Sequence, residues 1–556
     1  MTKRKVIAIG LDAADPDLVD SWINDGHMKC LRNFRKNAAY ARIKGSSHYK
    51  AETPWTVFLT GVPPENSGYW GGIELLEGTY KIRDRQAYDY LEYPPFYASD
   101  KDCKTVIFDV PKGTLVEGLI GLQVLAWGAH SPGTPSHSMP ANFMRQLNDL
   151  HGMHPALHKD HGDWWDEAYL KRLLKNLKDG IQMRVNICKE FLQKEDFNLF
   201  LTVFSETHSA GHDFWFASRS DHPLHNHPVS NVFTEDPLFS VFESVDSALG
   251  QILNEATEED YVVIFSVHGS DNNTTDVSSM FLLGEFLYRW NFPGQYMVKG
   301  HGKVGTKPPS LITRPRRKTW SGEIWARQYD PNIMRSTLRK FLPSRFHNKL
   351  ESLLGSPSKK WLSPQELQEK GDPFFWQPVS WYQNFWPQMK AFAIPSFSEG
   401  YIRINLEGRE PQGLVKFEDY DKVCEDLISN LCQIVNPRNG QPVVKNVFRT
   451  RDRPEAEGKK LPSADLVVEW ADCPADVIDH PSFGRIGPVP YRRTGSHRSK
   501  GFIAVQGPDI TPGTTLRDCR ITDLAPTILD LMGVDMPSWL VGESVLDRAR
   551  TLIKLD

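Results

Sequence analysis

Two histidines four residues apart lie in the segment SETHSAGHDFW (205–215), directly after the apolar run FNLFLTVF. They are either metal ligands at a strand end or ordinary polar side chains of the loop predicted there. Further histidine or carboxylate residues flank other apolar runs of the chain. Neutral imidazole and carboxylate groups together form the ligand set of zinc, manganese or iron. Five residues are therefore candidate metal ligands: Asp12, His208, His212, His268 and His497.

The apolar runs predict the elements that would position these ligands. They are short, continuous and rich in β-branched residues, which is typical of buried parallel strands. Five such runs are VIAIG (6–10), TVIFDV (105–110), FNLFLTVF (197–204), YVVIFSV (261–267) and FIAVQG (502–507). Helical patterns separate them, as in 168–194, 235–256 and 522–533. The sequence thus predicts an α/β fold, a doubly wound, mostly parallel sheet with helices on both faces. Ligands bind at the carboxyl ends of such strands, so the five residues are expected at one edge of the sheet.

The pattern changes between residues 281 and 385, a stretch rich in Trp, Pro and basic residues. This stretch is predicted to be an inserted cap with one helix near 331–342. Strand signals in 391–413 predict a small additional sheet. Three parts of the chain are expected. Residues 1–280 form the first part of a metal-binding core, and residues 281–385 form an insertion or cap. Residues 386–556 complete the core and carry the small sheet and His497.

Composition excludes several classes of protein. A formal net charge of -4 over 556 residues does not suggest a nucleic-acid binder. No apolar run reaches the roughly 18 residues that span a bilayer, and the residues after MTKRK lack a signal-peptide pattern. Seven scattered cysteines without a CxxC spacing predict reduced thiols. These features predict a cytoplasmic protein without a nucleic-acid partner and without membrane insertion.

Six motifs, in this order, resemble the alkaline phosphatase superfamily in its type I phosphodiesterase/nucleotide pyrophosphatase branch. They are GLDAADPDL (10–18), ETPWTVFLTGVPPENSGYW (52–70), HSAGHDFW (208–215), SVHGS (266–270), GSHRSKGFIAVQGPDI (495–510) and DLAPTILDLMG (523–533). The resemblance implies two neighbouring metal ions and a Thr, Ser or modified Cys nucleophile. By position it implies metal-ligand roles for Asp12, His212, His268 and His497.

The sequence departs from that family at two ligand positions. His208 stands where D-x-x-G-H has its Asp, and Val267 stands where D-H-G has its Asp. The nucleophile position is ambiguous as well. Counting back from Thr60-Gly61 without a gap places it at Ala51, whereas aligning the proline of TPW places it at Glu52, with Thr53 one residue on. Thr53 would reach the site only in a shortened or bent loop.

The altered ligands predict a modified metal centre. One site keeps three imidazoles, those of His208, His212 and His497, an arrangement found in catalytic zinc sites that lowers the pKa of bound water to roughly 7. The second site keeps Asp12 and His268, with Glu52 or Asp271 as possible helpers. One ion is therefore expected and a second is possible. Zinc is the expected metal, with manganese or iron as alternatives.

Two reaction routes follow from this centre. With one ion and no strong nucleophile, a metal-bound hydroxide would attack directly, and Glu206 or Glu52 would act as general base or orient a histidine. With two ions, Thr53 could form a covalent intermediate. Replacing a carboxylate by imidazole adds one positive charge, which favours an anionic small-molecule substrate. Arg498, next to His497, is the preferred anion clamp, ahead of Arg403 and Arg409.

Two further clusters are interpreted structurally. The loop LAWGAHSPGTPSHS (125–138), with His130 and His137, is expected to lie over the site rather than to supply a ligand. The aromatic cluster around Trp381 and Trp386 is expected to be core.

The sequence therefore predicts a metal-dependent hydrolase of a phosphodiester, a phosphomonoester or a nucleotide-type anhydride. One alternative is a single-metal enzyme of the same fold with a non-phosphate reaction, as a lyase, transferase or other hydrolase. The other is a binding protein whose metal cluster has partly decayed. The surviving ligands argue against full decay.

Overall fold

The computed structural model describes residues 4–546, except 47, 51, 91, 161, 331, 333, 335–336, 339–360 and 455–459. Ala51 and most of the helix predicted near 331–342 lie outside the described residues. The strands are β1 Val6–Leu11, β2 Ala39–Lys44, β3 Ile73–Leu75, β4 Ile82–Asp84, β5 Lys104–Phe108, β6 Ile120–Leu125, β7 His137–Met139, β8 Leu199–Phe204, β9 Tyr261–Ser266, β10 Gly269–Asn272, β11 Ala391–Ile394, β12 Gly400–Ile404, β13 Val444–Arg449, β14 Leu466–Trp470, β15 Ile478–His480, β16 Gly484–Ile486, β17 Gly495–Arg498, β18 Lys500–Gln506 and β19 Cys519–Arg520.

The α-helices are α1 Pro16–Asn24, α2 Lys29–Lys36, α3 Thr53–Thr60, α4 Pro64–Ser67, α5 Phe143–His151, α6 Glu167–Lys194, α7 Glu206–Ser218, α8 Pro237–Leu253, α9 Leu283–Asn291, α10 Trp320–Trp325, α11 Pro364–Glu369, α12 Tyr420–Leu431 and α13 Leu524–Met532. Short 3-10 helices cover Ala87–Asp89, Phe96–Ala98, Pro228–Val232, Pro378–Gln388, Phe417–Asp419 and Ile521–Asp523, and a π-helical turn covers Ser278–Leu282.

Nine strands form the main sheet, in the order β19-β2-β18-β9-β1-β8-β5-β6-β7. The neighbours β9, β1, β8, β5 and β6 run parallel. All six residues of β1 are buried, and Ile7 pairs with Phe200 on one side and Val262 on the other. A strand buried on both faces produces the continuous apolar run seen in the sequence. The predicted α/β fold class with a mostly parallel sheet is confirmed.

Helices begin and end close to the predicted positions. The pattern in 168–194 corresponds to α6, whose N-cap Asp166 accepts a hydrogen bond from the Tyr169 amide. The pattern in 235–256 corresponds to α8. Helix α13 ends at Gly533, which has the left-handed φ of 69° that favours glycine at this position. Capping and breaking residues therefore predicted these ends well.

One strand runs opposite to its predicted direction. The run FIAVQG was expected to be parallel to the others, but β18 pairs antiparallel with both β9 and β2. The prediction is wrong because a short apolar run carries no information about strand direction. The reversal places Phe502, near the start of β18, opposite Ser266 at the end of β9. The segment that precedes β18, which holds His497, therefore reaches the edge where the parallel strands end.

The chain forms two compact units. One contains Met1–Gly72, Arg85–Asp271 and Thr494–Asp556, and the other contains Ile73–Asp84 and Asn272–Arg493. These divisions differ from the boundaries at 280 and 385 that the sequence predicted. The small antiparallel sheet, in the order β11-β12-β14-β13, groups with the predicted insertion and not with His497.

Within the second unit, Trp381 and Trp386 are almost fully buried, so their predicted core role is confirmed. Arg403 and Arg409 are engaged in ion pairs with Glu410, at 2.5 and 3.0 Å. Across the described residues, the helices are all too short or too polar to cross a membrane.

Leu201→Ala tests the central position of β8. Leu201 is fully buried, and the substitution is expected to lower the free energy of unfolding by about 2–5 kcal/mol, because it leaves a cavity in the core. Leu150→Ala is the matched control, since Leu150 is 67% exposed, and it should change stability by less than about 0.5 kcal/mol. Urea denaturation followed by circular dichroism measures both. Equal effects would contradict the central placement of this strand.

Candidate metal centre

Asp12 is the first residue after the central strand β1. Its amide donates to the Phe204 carbonyl oxygen over 3.1 Å, so the pairing of β1 with β8 extends to this residue. The side chain is 1% exposed. The sheet therefore fixes both the position and the burial of this carboxylate.

His208 and His212 lie on the first two turns of α7, which begins one residue after Ser205. The loop predicted for this segment is wrong, because the backbone is helical from Glu206 to Ser218. Every residue from Glu206 to Phe216 is buried, so the segment lacks the amphipathic periodicity by which a helix is predicted. In a helix, a spacing of four places two side chains on one face. The two ring centroids are accordingly 4.6 Å apart.

The remaining histidines come from two other segments. His268 follows β9, and His497 lies in β17, which pairs with β10. The start of β17 is joined to α7, because the amide and the hydroxyl of Thr494 both donate to the His212 carbonyl oxygen over 2.9 Å. Two hydrogen bonds thus fix the strand of one candidate ligand against the helix of another.

All five candidate ligands meet at this edge of the sheet. The ring centroid of His497 lies 4.9 Å from that of His208, 4.8 Å from that of His212 and 4.6 Å from that of His268. The five side chains form two groups of three, each with potential ligand atoms within 4.8 Å of one another: His208, His212 and His497 in one, and Asp12, His208 and His268 in the other. All five are buried. His208 is common to both groups.

Asp12 is held by three side chains. Its Oδ2 lies 3.1 Å from His208 Nδ1, its Oδ1 lies 3.2 Å from His268 Nε2, and Trp55 Nε1 donates to Oδ1 over 2.8 Å. Burial alone would raise the pKa of Asp12, yet His208 and then His268 hold that pKa well below its usual range. The carboxylate is therefore ionised and available to a cation.

The donor set fits a small divalent metal ion. His212 Nδ1 lies 2.7 Å from the Gly495 carbonyl oxygen, which can only accept, so Nδ1 carries the proton and Nε2 keeps the lone pair for a metal. Asp12 Oδ2 and His268 Nε2 are buried and make no hydrogen bond of good geometry within the described part of the chain. Asp12 Oδ2 lies 3.1 Å from His208 Nδ1, and His268 Nε2 lies 3.2 Å from Asp12 Oδ1. Both distances are close to the roughly 3.3 Å between two ligand atoms of a tetrahedral zinc ion.

The predicted nucleophile region lies beside Asp12. Thr53 is the first residue of α3 and is 2% exposed, and Trp55 two residues later donates to Asp12. Glu52 forms an ion pair of 2.6 Å with Lys112, whose side chain is almost fully buried. The structure thus brings the start of α3 to the site, while the carboxylate of Glu52 is bound to a lysine.

Glu206 is part of a fully buried ionic network. Its Oε1 accepts from Arg184 Nε over 3.0 Å and from His154 Nε2 over 3.1 Å, and Arg184 Nη2 donates to Asp109 over 2.6 Å. Burial would raise the pKa of Glu206, but Arg184 and then His154 keep that pKa below its ordinary value. Its described contacts are those of a carboxylate that anchors the first turn of α7.

Arg498 is the residue that the sequence proposed as an anion clamp. Arg498 follows His497 in β17, and its Nε lies 3.2 Å from Asp271 Oδ2. The arginine side chain is 14% exposed and that of Asp271 is 47% exposed. Asp271, which the sequence proposed as a helper ligand, is therefore paired with Arg498.

Three residues near the centre were not identified as functional from the sequence. Trp55 contacts Asp12, Lys112 holds Glu52, and His130 stacks on His208 with centroids 4.0 Å apart. His130 lies in the loop after β6, so the rule that ligands collect at the carboxyl ends of parallel strands would have found it. The indole and the buried lysine have no such signal, because their contacts depend on the tertiary fold.

No protein-family model matches the chain. Short segments match two curated 2,3-bisphosphoglycerate-independent phosphoglycerate mutases. The identity is 55% over 42 residues with the protein of Ruegeria sp. (strain TM1040) and 47% over 47 residues with that of Paracoccus denitrificans (strain Pd 1222). Each match spans 8% of this chain, and 8% and 9% of the respective relative.

Three solved structures are similar to the chain over most of its length. They are murine ectonucleotide pyrophosphatase/phosphodiesterase 5 (12% identity, 96% of both chains, TM-score 0.46), the phosphonoacetate hydrolase of Sinorhizobium meliloti 1021 (12%, 95% of both chains, 0.42) and the alkaline phosphatase PafA (11%, 98% of both chains, 0.48). All three are members of the alkaline phosphatase superfamily, the group that the sequence motifs resemble.

Gly495→Ala tests the seam between β17 and α7. A Cβ at this position would lie 2.1 Å from the Gly211 carbonyl oxygen of α7, so β17 must move away and take His497 with it. We expect zinc affinity to fall by about tenfold or more, as for other losses of ligand positioning. Competition with a chromophoric chelator measures the affinity.

The matched control is Gly211→Ala on the facing helix. Its Cβ would lie 3.0 Å from the Ser270 hydroxyl, a contact that a shift of a few tenths of an ångström relieves, so the affinity should change much less. Equal zinc affinities for Gly495→Ala and the unmodified protein would rule out a metal held between the two elements.

Proposed function

We propose that the protein is a metal-dependent hydrolase of phosphate esters or anhydrides, and that zinc is its metal. The observation that carries the proposal is the convergence of four imidazoles and one ionised carboxylate, all buried, at the carboxyl edge of the parallel strands. Such an edge is where α/β enzymes bind their ligands. Buried histidine and carboxylate clusters of this composition suit zinc, manganese or iron.

In this proposal His208, His212 and His497 hold one ion, and Asp12 and His268 complete the centre or hold a second. A bound zinc ion would supply a Lewis acid for a phosphoryl oxygen and a lowered pKa for a coordinated water molecule. Trp55 orients Asp12 through its indole N–H, and the Gly495 carbonyl oxygen fixes the tautomer of His212. The chain itself therefore supplies orientation and the exclusion of bulk water.

Charge indicates an anionic substrate. The five ligands carry one negative charge against the two positive charges of each divalent ion, so even one ion leaves a net positive centre. Arg498 lies next to His497 and is paired with Asp271 through its Nε, and its guanidinium geometry suits a phosphate. Phosphodiesters, phosphomonoesters and nucleotide-type anhydrides all meet this requirement.

Water is the proposed nucleophile. The fully buried Glu206 is occupied by Arg184 and His154, and Glu52 is occupied by Lys112, so neither carboxylate is assigned as the general base. Thr53, buried at the start of α3, remains the side chain that would carry a covalent route. The two routes are separated by the variant described below.

A second candidate function is phosphoryl transfer between hydroxyl groups, as in a phosphomutase. The short matches to the two phosphoglycerate mutases favour it. In a mutase reaction, no inorganic phosphate would accumulate from 3-phosphoglycerate. A hydrolase run in ¹⁸O-labelled water would release phosphate that carries the label.

Metal removal tests the proposed hydrolase. The purified protein is expected to contain at least one zinc, manganese or iron ion per chain by elemental analysis. It should release nitrophenol from p-nitrophenyl phosphate or from its bis-ester, lose this activity with a chelator and regain it with added metal. His212→Ala should lose both metal and activity, whereas His151→Ala, a change at a histidine–glutamate pair of α5 and α6, should retain both. Metal without activity on either ester would argue for a different reaction.

Thr53→Ala tests which nucleophile is used. With water as nucleophile, kcat on the turned-over ester should stay within about tenfold of the unmodified enzyme, whereas loss of a covalent nucleophile typically costs about 10³-fold or more. Thr56→Ala is the control in the same helix, because its hydroxyl donates to the Thr53 carbonyl oxygen over 2.8 Å. A collapse of kcat in Thr53→Ala alone would establish the covalent route.

A further inference from the structure

His130 is a fifth histidine at the candidate centre and lies in the loop that was expected to cover the site. It lies after β6, and its ring stacks on that of His208 with centroids 4.0 Å apart and an interplanar angle of 18°. The other close ring pairs among the candidate ligands are steeply inclined, at angles of 55° or more. His208 therefore has a parallel partner over one face of its ring.

The partner ring is itself held in place. His130 Nδ1 lies 3.1 Å from Asp160 Oδ2, and the Ser209 hydroxyl donates to the same oxygen over 2.9 Å. Ser209 is the residue after His208 in α7. One carboxylate oxygen thus joins the stacked ring to the helix that carries the ligand.

The backbone of this loop is fixed separately from the imidazole. The amides of Ala129 and His130 donate to the Ser205 hydroxyl over 3.1 and 3.3 Å. The loop therefore keeps its anchor when the His130 side chain is replaced. The role of the His130 imidazole can therefore be tested without removing the hydrogen bonds that hold the loop.

We propose that His130 is a positioning residue, which, together with Asp160, fixes the ring plane of His208 for metal binding. This inference rests on the proposed metal centre and adds a residue to it. His208 stands where the D-x-x-G-H motif of the superfamily that the sequence resembles has its aspartate. An imidazole there is larger and points its nitrogens along one plane only. Either oxygen of a carboxylate can bind the ion. An imidazole ring that rotates about the last torsion of its side chain no longer directs a nitrogen at the ion. The flat stack against His130 restricts that rotation.

The stack also serves His208 electronically. A metal-bound imidazole is electron-poor, and a neighbouring ring that donates its N–H to a carboxylate is electron-rich. Groups that hydrogen-bond to metal-bound histidines affect metal affinity about 10- to 100-fold. The Asp160–His130 pair has the composition of such a group, but it contacts His208 through the face of the imidazole ring and not through a ring nitrogen.

His130→Ala and His130→Phe test the proposal on the full-length protein. His130→Ala should weaken zinc binding by about 10- to 100-fold, because the His208 ring loses its stack, and it should change the visible spectrum of the Co²⁺-substituted protein. His130→Phe keeps the flat ring but not the contact with Asp160, so it should lose less affinity than His130→Ala. The melting temperature of the metal-free protein should be the same for the unmodified protein, His130→Ala and His130→Phe. Equal values would show that the substitutions change the positioning of His208 and not the folding of the chain.

His151→Ala is the matched control, because His151 pairs with Glu190 at 2.8 Å and its side chain is as buried as that of His130, at 15% against 16% exposed. It should leave zinc affinity and the Co²⁺ spectrum unchanged. Zinc affinity within twofold of the unmodified protein in His130→Ala, or an equal loss in His130→Phe and His130→Ala, would overturn the proposed role of the stack. An unmodified protein that binds no metal would instead overturn the proposed function itself.

Discussion

The fold around the centre depends on one buried carboxylate. Asp12 is 1% exposed and its pKa is held well below its usual range, and a charge in such a place is stable only if polar or charged groups surround it. Trp55 of α3 donates to this carboxylate, and His208 of α7 and His268 after β9 lie 3.1 and 3.2 Å from its oxygens. Three elements that are distant in the sequence are therefore positioned by the same two oxygen atoms.

A second buried charge system supports the same helix. Arg184 of α6 is completely buried and binds both Asp109 and Glu206, the first residue of α7. Removal of one partner from such a network typically costs about 3–5 kcal/mol, because the other partner stays buried without its counter-charge. Helix α7 is thus fixed at Glu206 by a buried ion pair, two residues before its first candidate ligand.

Much of this arrangement could be predicted from the sequence, and the failures have physical reasons. The strands β1, β8 and β9 were predictable because strands buried on both faces are apolar throughout, and the five candidate ligands followed from the residues that flank such runs. The direction of β18 was not predictable, since antiparallel and parallel strands have the same local pattern. The helix α7 was missed because it is buried on all sides.

Contacts that depend on tertiary packing were the hardest to predict. The indole of Trp55 and the lysine that binds Glu52 make contacts that only the tertiary fold determines, whereas the ring of His130 follows a parallel strand and could have been found by that rule. Glu206 and Glu52 were candidate bases because they precede candidate functional residues. Sequence proximity does not specify which counter-charge a side chain contacts, and both carboxylates form ion pairs with a buried cation.

The origin of the five ligands in four separate chain segments has a consequence for folding. An ion bound by Asp12, α7, His268 and β17 would tie together parts of the chain from near its beginning to near its end. In the unfolded chain these groups are far apart, so most of the free energy of metal binding would be available only to the native state. The centre would then act as a reversible cross-link, comparable to a disulfide that closes very long loops. The availability of metal would then determine the stability of the folded sheet, independently of any reaction at the site.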